Sequence, residues 1–490
     1  MIKIKNLKSS SLGGDAVRLT ISKVITLLIS TVTGMLLVRF RTLEEFGTYS
    51  ALLLVINLFT ALLMLGLPNS INYFMARAED DEHKKHFMSV YYSAITILSL
   101  AIGCILVLSI PVIELYFKNT EIRYFFYFLA IFPWATTIIN SLDNVLVFYK
   151  RTGVLILYKL LYSFFMLLAV LAIQWLGFGF QSYMIVYVIL NAIFSIFVYV
   201  ISIKVSGGLR FAVDFKLFKA VLTFSVPIGL STLVGTLSAE IDKLLIGRLM
   251  DSSQFAIYSN AAKELPLTIV ATSITAVLLP RVSIMVKNKC TKEAVQLWGD
   301  ATVLSFIVMA LIVSGLIVYG EDVMTLLYSE KYLPGLSVFR IYSLTLLVRC
   351  TYFGMILNSL GQTKKILLCS VANLILNAIL NPVFYYIFGM NGPALATLVS
   401  MLSIMFLMLF LTSRASDVSY SKVFPWSKIL IIILVNIPFS VAFWYIKKFI
   451  DVDKYVGSFV ESLILGAVWS LIYFFVLRKT IKKYWALLNK

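Results

Sequence analysis

The sequence predicts an all-α polytopic membrane protein of about fourteen transmembrane helices. Three observations carry that expectation. The chain of 490 residues is 60% hydrophobic and only 13% charged, with a mean hydropathy of +0.93, whereas soluble domains carry roughly a quarter charged residues. Its apolar runs are continuous and about 20 residues long, the length a helix needs to cross a bilayer, and they lack the short alternation of a membrane β-barrel. One pattern also occurs twice: Arg39, Phe46, Tyr49 and Ser50 in "RFRTLEEFGTYS" match Arg248, Phe255, Tyr258 and Ser259 in "GRLMDSSQFAIYS" at one constant offset.

Taken in order, residues 1–18 form a basic start that leads into an apolar run too long for a signal-peptide core, so a retained cytoplasmic tail is expected. Spans are expected at 19–40, 48–68, 88–113, 123–147, 154–176, 181–203, 219–241, 256–280, 300–319, 337–359, 366–387, 393–412, 427–446 and 457–477. The 42 Lys and Arg against 24 Asp and Glu give a net charge of +18. Threading the spans from a cytoplasmic N-terminus puts roughly 27 basic residues inside against about 11 outside, so both termini are expected in the cytoplasm. "WLGF" at 175–178 stands where "IFGM" at 387–390 stands in the second copy, so each unit holds about six spans. An even number of spans makes the repeats parallel, related by an axis along the membrane normal, with a central cavity between them. The expected domains are the tail 1–18, a first six-helix bundle 19–205, a second 206–413, and two appended helices with a basic tail, 414–490. "KVSGGLRFAVDFK", residues 204–216, reads as the polar joint between the bundles.

Several function classes drop out. The basic excess is loop charge, not a stripe interleaved with stacking aromatics, so nucleic acid is not an expected partner. The sequence contains no G-x-x-x-x-G-K-[ST], hence no P-loop. Cys104, Cys290, Cys350 and Cys369 are scattered without metal or redox spacing and read as small core residues. His83 and His86 in "EDDEHKKHF" lack an obvious third ligand and read as part of a solvated charged loop, so neither a metal nor another cofactor is expected. No outer loop exceeds about 20 residues, too short for the catalytic region of a membrane glycosyltransferase or polymerase, and an enzyme is not expected.

The ionisable residues in or near the hydrocarbon are the candidate site. An Arg, Lys or Asp at mid-membrane costs about 2.5 to 3.5 kcal/mol on insertion scales, so such residues tend to face a cavity and serve a substrate or ion path. Lys23 in span 1, Asp143 in span 4, Lys159 in span 5, Lys263 and Glu264 in span 8, and Arg349 in span 10 fit that description, with Glu240, Asp242 and Lys243 closing span 7. Lys159 and Lys23 are near enough to an interface to snorkel. Asp143 reads equally as a structural partner of Lys150 or Arg151 and as a functional acid. Asn358, Asn373, Asn377 and Asn381 read as interhelical hydrogen-bonding groups. The set holds more cations than anions, which suits an anionic substrate, phosphate above all.

The order of "RFRTLEEFGTYS", "LGLPNSINYF" (65–74), "FSVPIGLSTL", "IDKLLIGR", "FAIYSNA", "LLYSEKYLPG" and "FGMNGPALATLVS" resembles the polysaccharide-transporter branch of the multidrug/oligosaccharidyl-lipid/polysaccharide (MOP) exporter superfamily, which includes the Wzx-type O-antigen flippases. The resemblance runs from about residue 15 to 412. It implies a V of two six-helix bundles in the bacterial cytoplasmic (inner) membrane, turning undecaprenyl-diphosphate-linked oligosaccharides from the inner to the outer leaflet by alternating access. Lys23, Arg39, Asp242, Arg248 and Lys263 match positions around the family's cationic cavity, and Arg349 joins them as a substrate-binding candidate. Arg39 and Arg248, equivalent in the two copies, are expected to face each other across the outer mouth. Glu240, Asp242, Glu264 and Asp143 are candidates for coupling to a proton or sodium gradient. Implied partners are the lipid-linked oligosaccharide, membrane lipids, a polysaccharide polymerase and a chain-length regulator. A flippase for another lipid-linked precursor (lipid II or teichoic acid) and a membrane polymerase are the competing readings. Drug-extruding relatives tend to carry an ion-binding acid in the first helix; here Asp15 precedes the span and Arg18 and Lys23 follow, which argues against an organic cation.

Overall fold

The computed structural model describes residues 12–64, 66–263, 265–450 and 457–488. Glu264 lies outside the described residues, as do the side chains of Asp15 and Arg18. Among the described residues there is no strand.

Helix α1 (Leu12–Phe40) and α2 (Leu43–Met64) are separated by only two residues. The sequence dictates that sharp restart. The Glu45 amide donates to Thr42 Oγ1 at 3.1 Å and the Thr42 amide donates to Glu45 Oε2 at 2.9 Å, the reciprocal bonds of a T-x-x-E capping box. Glu44 and Glu45, expected in an outer loop, instead occupy the first turn of α2, where the helix dipole favours anions. Arg41 in the two-residue link is only 6% exposed, donates to the Phe178 carbonyl at 3.3 Å and lies 5.9 Å from the Tyr183 ring centroid.

The first half continues through a 3-10 turn (Leu67–Asn69), α3 (Ser70–Arg77), α4 (Asp81–Leu108), α5 (Ile110–Phe117), a 3-10 turn (Thr120–Phe125), α6 (Phe126–Phe148), α7 (Thr152–Trp175) and α8 (Phe180–Ser206). Helix α6 packs between α4 and α8, and α1 packs on α7. Ile138, Leu142, Val145 and Leu146 of α6 and Ile95, Ile102 and Leu106 of α4 are fully buried. A Cβ on Gly103 of α4 would sit 2.1 Å from the Ala130 carbonyl oxygen, so the close approach of α4 and α6 requires glycine there. The outer faces of α7 and α8 stay apolar and exposed, with Phe164, Phe165, Ile189 and Phe197 among them, as lipid-facing surfaces do.

The second half comprises α9 (Phe215–Leu249), α10 (Ser252–Ala261), a 3-10 turn (Pro266–Thr268), α11 (Ile269–Lys287), α12 (Thr291–Val318), α13 (Gly320–Tyr328), a 3-10 turn (Glu330–Gly335), α14 (Leu336–Val348), α15 (Met355–Ser359), α16 (Thr363–Phe388) and α17 (Asn391–Ser416). Then follow α18 (Tyr420–Val423) and the appended α19 (Trp426–Ile450) and α20 (Ser458–Leu488). The repeat recurs element by element: α12 has the 28 residues of α4, and each is followed by a short helix and a six-residue 3-10 turn. Gly177 of "WLGF" (φ 70°) and Gly389 of "IFGM" (φ 57°) make the turns after α7 and α16, both in a backbone region that glycine enters without strain.

Twelve helices among the described residues are long and apolar enough to cross a membrane. The other two expected spans, 256–280 and 337–359, are each divided, the first between α10 and α11 and the second between α14 and α15. The chain forms two compact units, residues 1–237 with 247–256, and residues 238–246 with 257–490. In the second, Trp298, Val303 and Met309 of α12 are fully buried, and α12 packs on α11, α14, α19 and α20. Asp322 of α13, 7% exposed, ties the appended helices down: it accepts from Ser462 at 2.5 Å and also from Ser458 and Lys447. Cys350 and Cys369 are buried as expected, but Cys104 and Cys290 are exposed. Cys104 lies on an outward face of α4 and Cys290 in the turn before α12, so neither is a core residue.

Candidate functional site

The polar centre of the second unit forms around Asp242 of α9. Its carboxylate, only 1% exposed, accepts a hydrogen bond at Oδ2 from the Tyr258 hydroxyl of α10 at 2.7 Å and another from the Tyr342 hydroxyl of α14. Oδ1 is buried and has no hydrogen-bond partner among the described residues. Asn377 of α16 donates to the Ser238 carbonyl of α9 at 3.2 Å, the interhelical bonding expected of it, whereas Asn381 donates to Asn377 within α16. Glu240, two residues before Asp242, is neutralised by Lys243 at 2.7 Å.

Both helix breaks carry a cation. After α10 the chain leaves the helix at Ala262 and Lys263 and resumes with Pro266 at the first position of a 3-10 turn, where the missing amide costs nothing. Lys263 is exposed at that break. After α14 the chain opens at residues 349–354, and Arg349, also exposed, is the C-terminal cap residue of α14, where a cation complements the helix dipole. Discontinuous membrane helices free backbone groups for ligands and line cavities.

The first unit places the remaining candidates. Lys23 is exposed on α1, and Arg39 is exposed in its last turn. Arg248, at the end of α9, donates to the Leu115 carbonyl at 2.8 Å and to that of Tyr116, so it closes the C-terminus of α5. Asp143 is paired at 2.6 Å with Lys159, neither with Lys150 nor with Arg151, and this also explains Lys159. The two residues face each other from α6 and α7, so the acid and the base each supply the other's counter-charge.

Sequence reasoning missed three groups: Tyr258 and Tyr342 as donors to Asp242, the buried Arg41, and the Asp322 cluster. The repeat motif does point to Tyr258, and the capping box starting at Thr42 isolates Arg41 at a helix junction. Asp322 carries no such local signal, because its partners lie on α19 and α20.

Twelve apolar helices and a repeated multi-helix unit define a multi-pass membrane protein, and solved structures share its fold. The lipid II flippase MurJ in an inward closed conformation matches with a TM-score of 0.74 at 17% identity, over 94% of this chain and 99% of that one. An inward-facing multidrug resistance transporter of the MATE family, in the MOP superfamily, matches with a TM-score of 0.62 at 16% identity, over 83% and 99%. An uncharacterised membrane protein of Methanocaldococcus jannaschii is 24% identical over 388 residues, 76% of this chain and 90% of that protein. The profile of a family described as polysaccharide biosynthesis protein matches residues 36–336. The chain belongs to that family.

Proposed function

We propose that the chain is a flippase. It moves oligosaccharide repeat units linked to a polyprenyl diphosphate, undecaprenyl diphosphate in bacteria, from the inner to the outer leaflet of the cytoplasmic membrane by alternating access. The units feed a surface polysaccharide such as O-antigen, capsule or exopolysaccharide. The observation that carries this reading is the exposure of Lys23, Lys263 and Arg349 on segments expected to be membrane-embedded, two of them at helix breaks, in a chain of a polysaccharide biosynthesis family. Lys23 and Lys263 in such places are costly to hold in a membrane, which favours an anion that meets them.

In this mechanism the diphosphate meets Lys23, Lys263 and Arg349. The lysines act as compact point charges, and the arginine contributes a planar fork that matches phosphate oxygens. The sugars travel in a hydrated path while the prenyl chain stays in lipid, so each part keeps its preferred solvent. Arg39 guides or gates the diphosphate, and Arg248 holds α5 in place. Coupling to a proton or sodium gradient is assigned to Asp242, whose Oδ1 is left over after two hydroxyls have taken Oδ2. Glu240 and Asp143 already have lysine partners and suit the task less. No bond is made or broken in the lipid-linked unit, so the protein is a transporter and not an enzyme. A polymerase and its chain-length regulator take the product on the outer face, and both termini lie inside.

The test uses proteoliposomes and a fluorescent lipid-linked oligosaccharide. Lys263→Ala and Lys23→Ala are expected to slow translocation at least about tenfold, the effect of losing some 1.4 kcal/mol of interaction with the diphosphate. Normal rates in correctly inserted variants would assign the substrate to other residues. Lipid II and a teichoic-acid precursor serve as competitors: faster movement of either would replace the oligosaccharide as substrate.

A further inference from the structure

The segment between α8 and α9 is expected to be a polar joint, yet large apolar side chains share its exposed face with the cations. Phe211, Val213 and Phe215 are 77%, 56% and 79% exposed. Around them Lys204, Arg210, Lys216 and Lys219 are exposed cations, and Asp214 is the segment's one acid. The segment is held in place. The Arg210 amide donates to Ser89 Oγ at 3.2 Å and the Ala212 amide to Ser93 Oγ at 3.1 Å, both on α4. Asp214 pairs through Oδ2 with His86 of α4 at 3.1 Å and through Oδ1 accepts from the Lys216 and Leu217 amides, capping α9. These bonds fix an extended strap along the end of α4, with alternate side chains turned away from the protein.

We infer that this strap is an interfacial lipid-binding device: Phe211, Val213 and Phe215 enter the acyl boundary while Arg210, Lys216, Lys219 and Lys204 take the head groups of acidic phospholipids. Three arguments commit the surface to lipid. The strap joins the ends of two membrane-length helices, so it sits at the depth where head groups lie. Apolar side chains interleaved with cations are the pattern of an interfacial anchor. The single acid is taken up by His86 and the α9 cap, which leaves the cations to attract acidic lipid. The consequence is that acidic lipid draws the strap, together with the α4 segment bonded to it, toward the acyl boundary.

The experiment uses the full chain with exposed Cys104 and Cys290 changed to Ser and a spin label at Phe211→Cys, with Val213→Cys as a second site in case the first variant does not fold. The label's collisions with oxygen and with a water-soluble nickel chelate are read in vesicles of phosphatidylcholine, with and without phosphatidylglycerol. We expect oxygen to exceed nickel severalfold, the label to move deeper with phosphatidylglycerol, and that shift to be lost when Arg210, Lys216 and Lys219 are all replaced by Gln. A label equally open to nickel in both vesicles would place the strap in water and overturn the inference. A deep label indifferent to phosphatidylglycerol would overturn its head-group half.

Discussion

At the residue scale, Asp242 and Arg248 separate two kinds of charge that the sequence presents alike. Asp242 is buried and holds two tyrosine hydroxyls, so Asp242→Leu leaves both hydroxyls without their acceptor. That variant is expected to lose about 1 to 3 kcal/mol, read as a lower midpoint in thermal unfolding of the detergent-solubilised protein. Asp242→Asn keeps the shape and an acceptor but removes the charge. It is expected to fold with near-normal stability and to lose the dependence of transport on a proton or sodium gradient; a retained dependence would move coupling elsewhere. Arg248 is exposed and bonds two carbonyls of α5. Arg248→Ala is expected to cost about 1 kcal/mol of stability while leaving translocation per folded molecule unchanged. A transport defect without a stability change would return Arg248 to the substrate path.

At the element scale, the helix ends carry tests of their own. Removing the capping box with Thr42→Ala is expected to cost about 1 kcal/mol and to fray the start of α2, read by hydrogen exchange. Asp80 caps α4 by accepting from the His83 amide, and Asp214 caps α9. Backbone amides and a neighbouring histidine hold both carboxyls below their ordinary 3.8. A depressed carboxyl pKa contributes stability that is full above the ordinary value and is lost as pH falls through the depressed one. The first turns of α4 and α9 are therefore expected to lose exchange protection, corrected for intrinsic rates, on acidification below about pH 4, and Asp214→Asn is expected to remove that dependence at α9 alone. The continuous spans were legible in the sequence because length and apolarity alone define them. The breaks were not, because proline marks them inconsistently: Pro133, Pro227, Pro280, Pro382 and Pro438 lie inside helices, Pro266 starts the turn at the first break, and residues 349–354 at the second hold no proline. The T-x-x-E capping box at Thr42 is readable in the sequence, but expected spans that end at 40 and restart at 48 leave Glu44 and Glu45 in a loop.

At the scale of the whole molecule, the duplicated motif revealed a repeat that the structure extends to paired helices and paired glycine turns. Duplication locates equivalent places but not equivalent chemistry. Asp242 of the second copy corresponds to Thr33 of the first, so the buried acid belongs to one copy only. For the same reason the cations were legible as types in unusual places, while their partners were not. Lys159 finds Asp143 across a helix pair and Arg248 finds the end of α5, contacts that no spacing in the sequence announces.

The central claim is that this chain moves a lipid-linked oligosaccharide across a bilayer. Purified protein in sealed proteoliposomes, loaded with a fluorescent polyprenyl-diphosphate oligosaccharide in both leaflets, measures it directly. An outer-leaflet quencher should extinguish about half of the signal in protein-free vesicles and nearly all of it, over minutes, when the protein is present. The same fluorescence plateau with and without protein, or the appearance of longer glycan chains on the lipid, would contradict the claim.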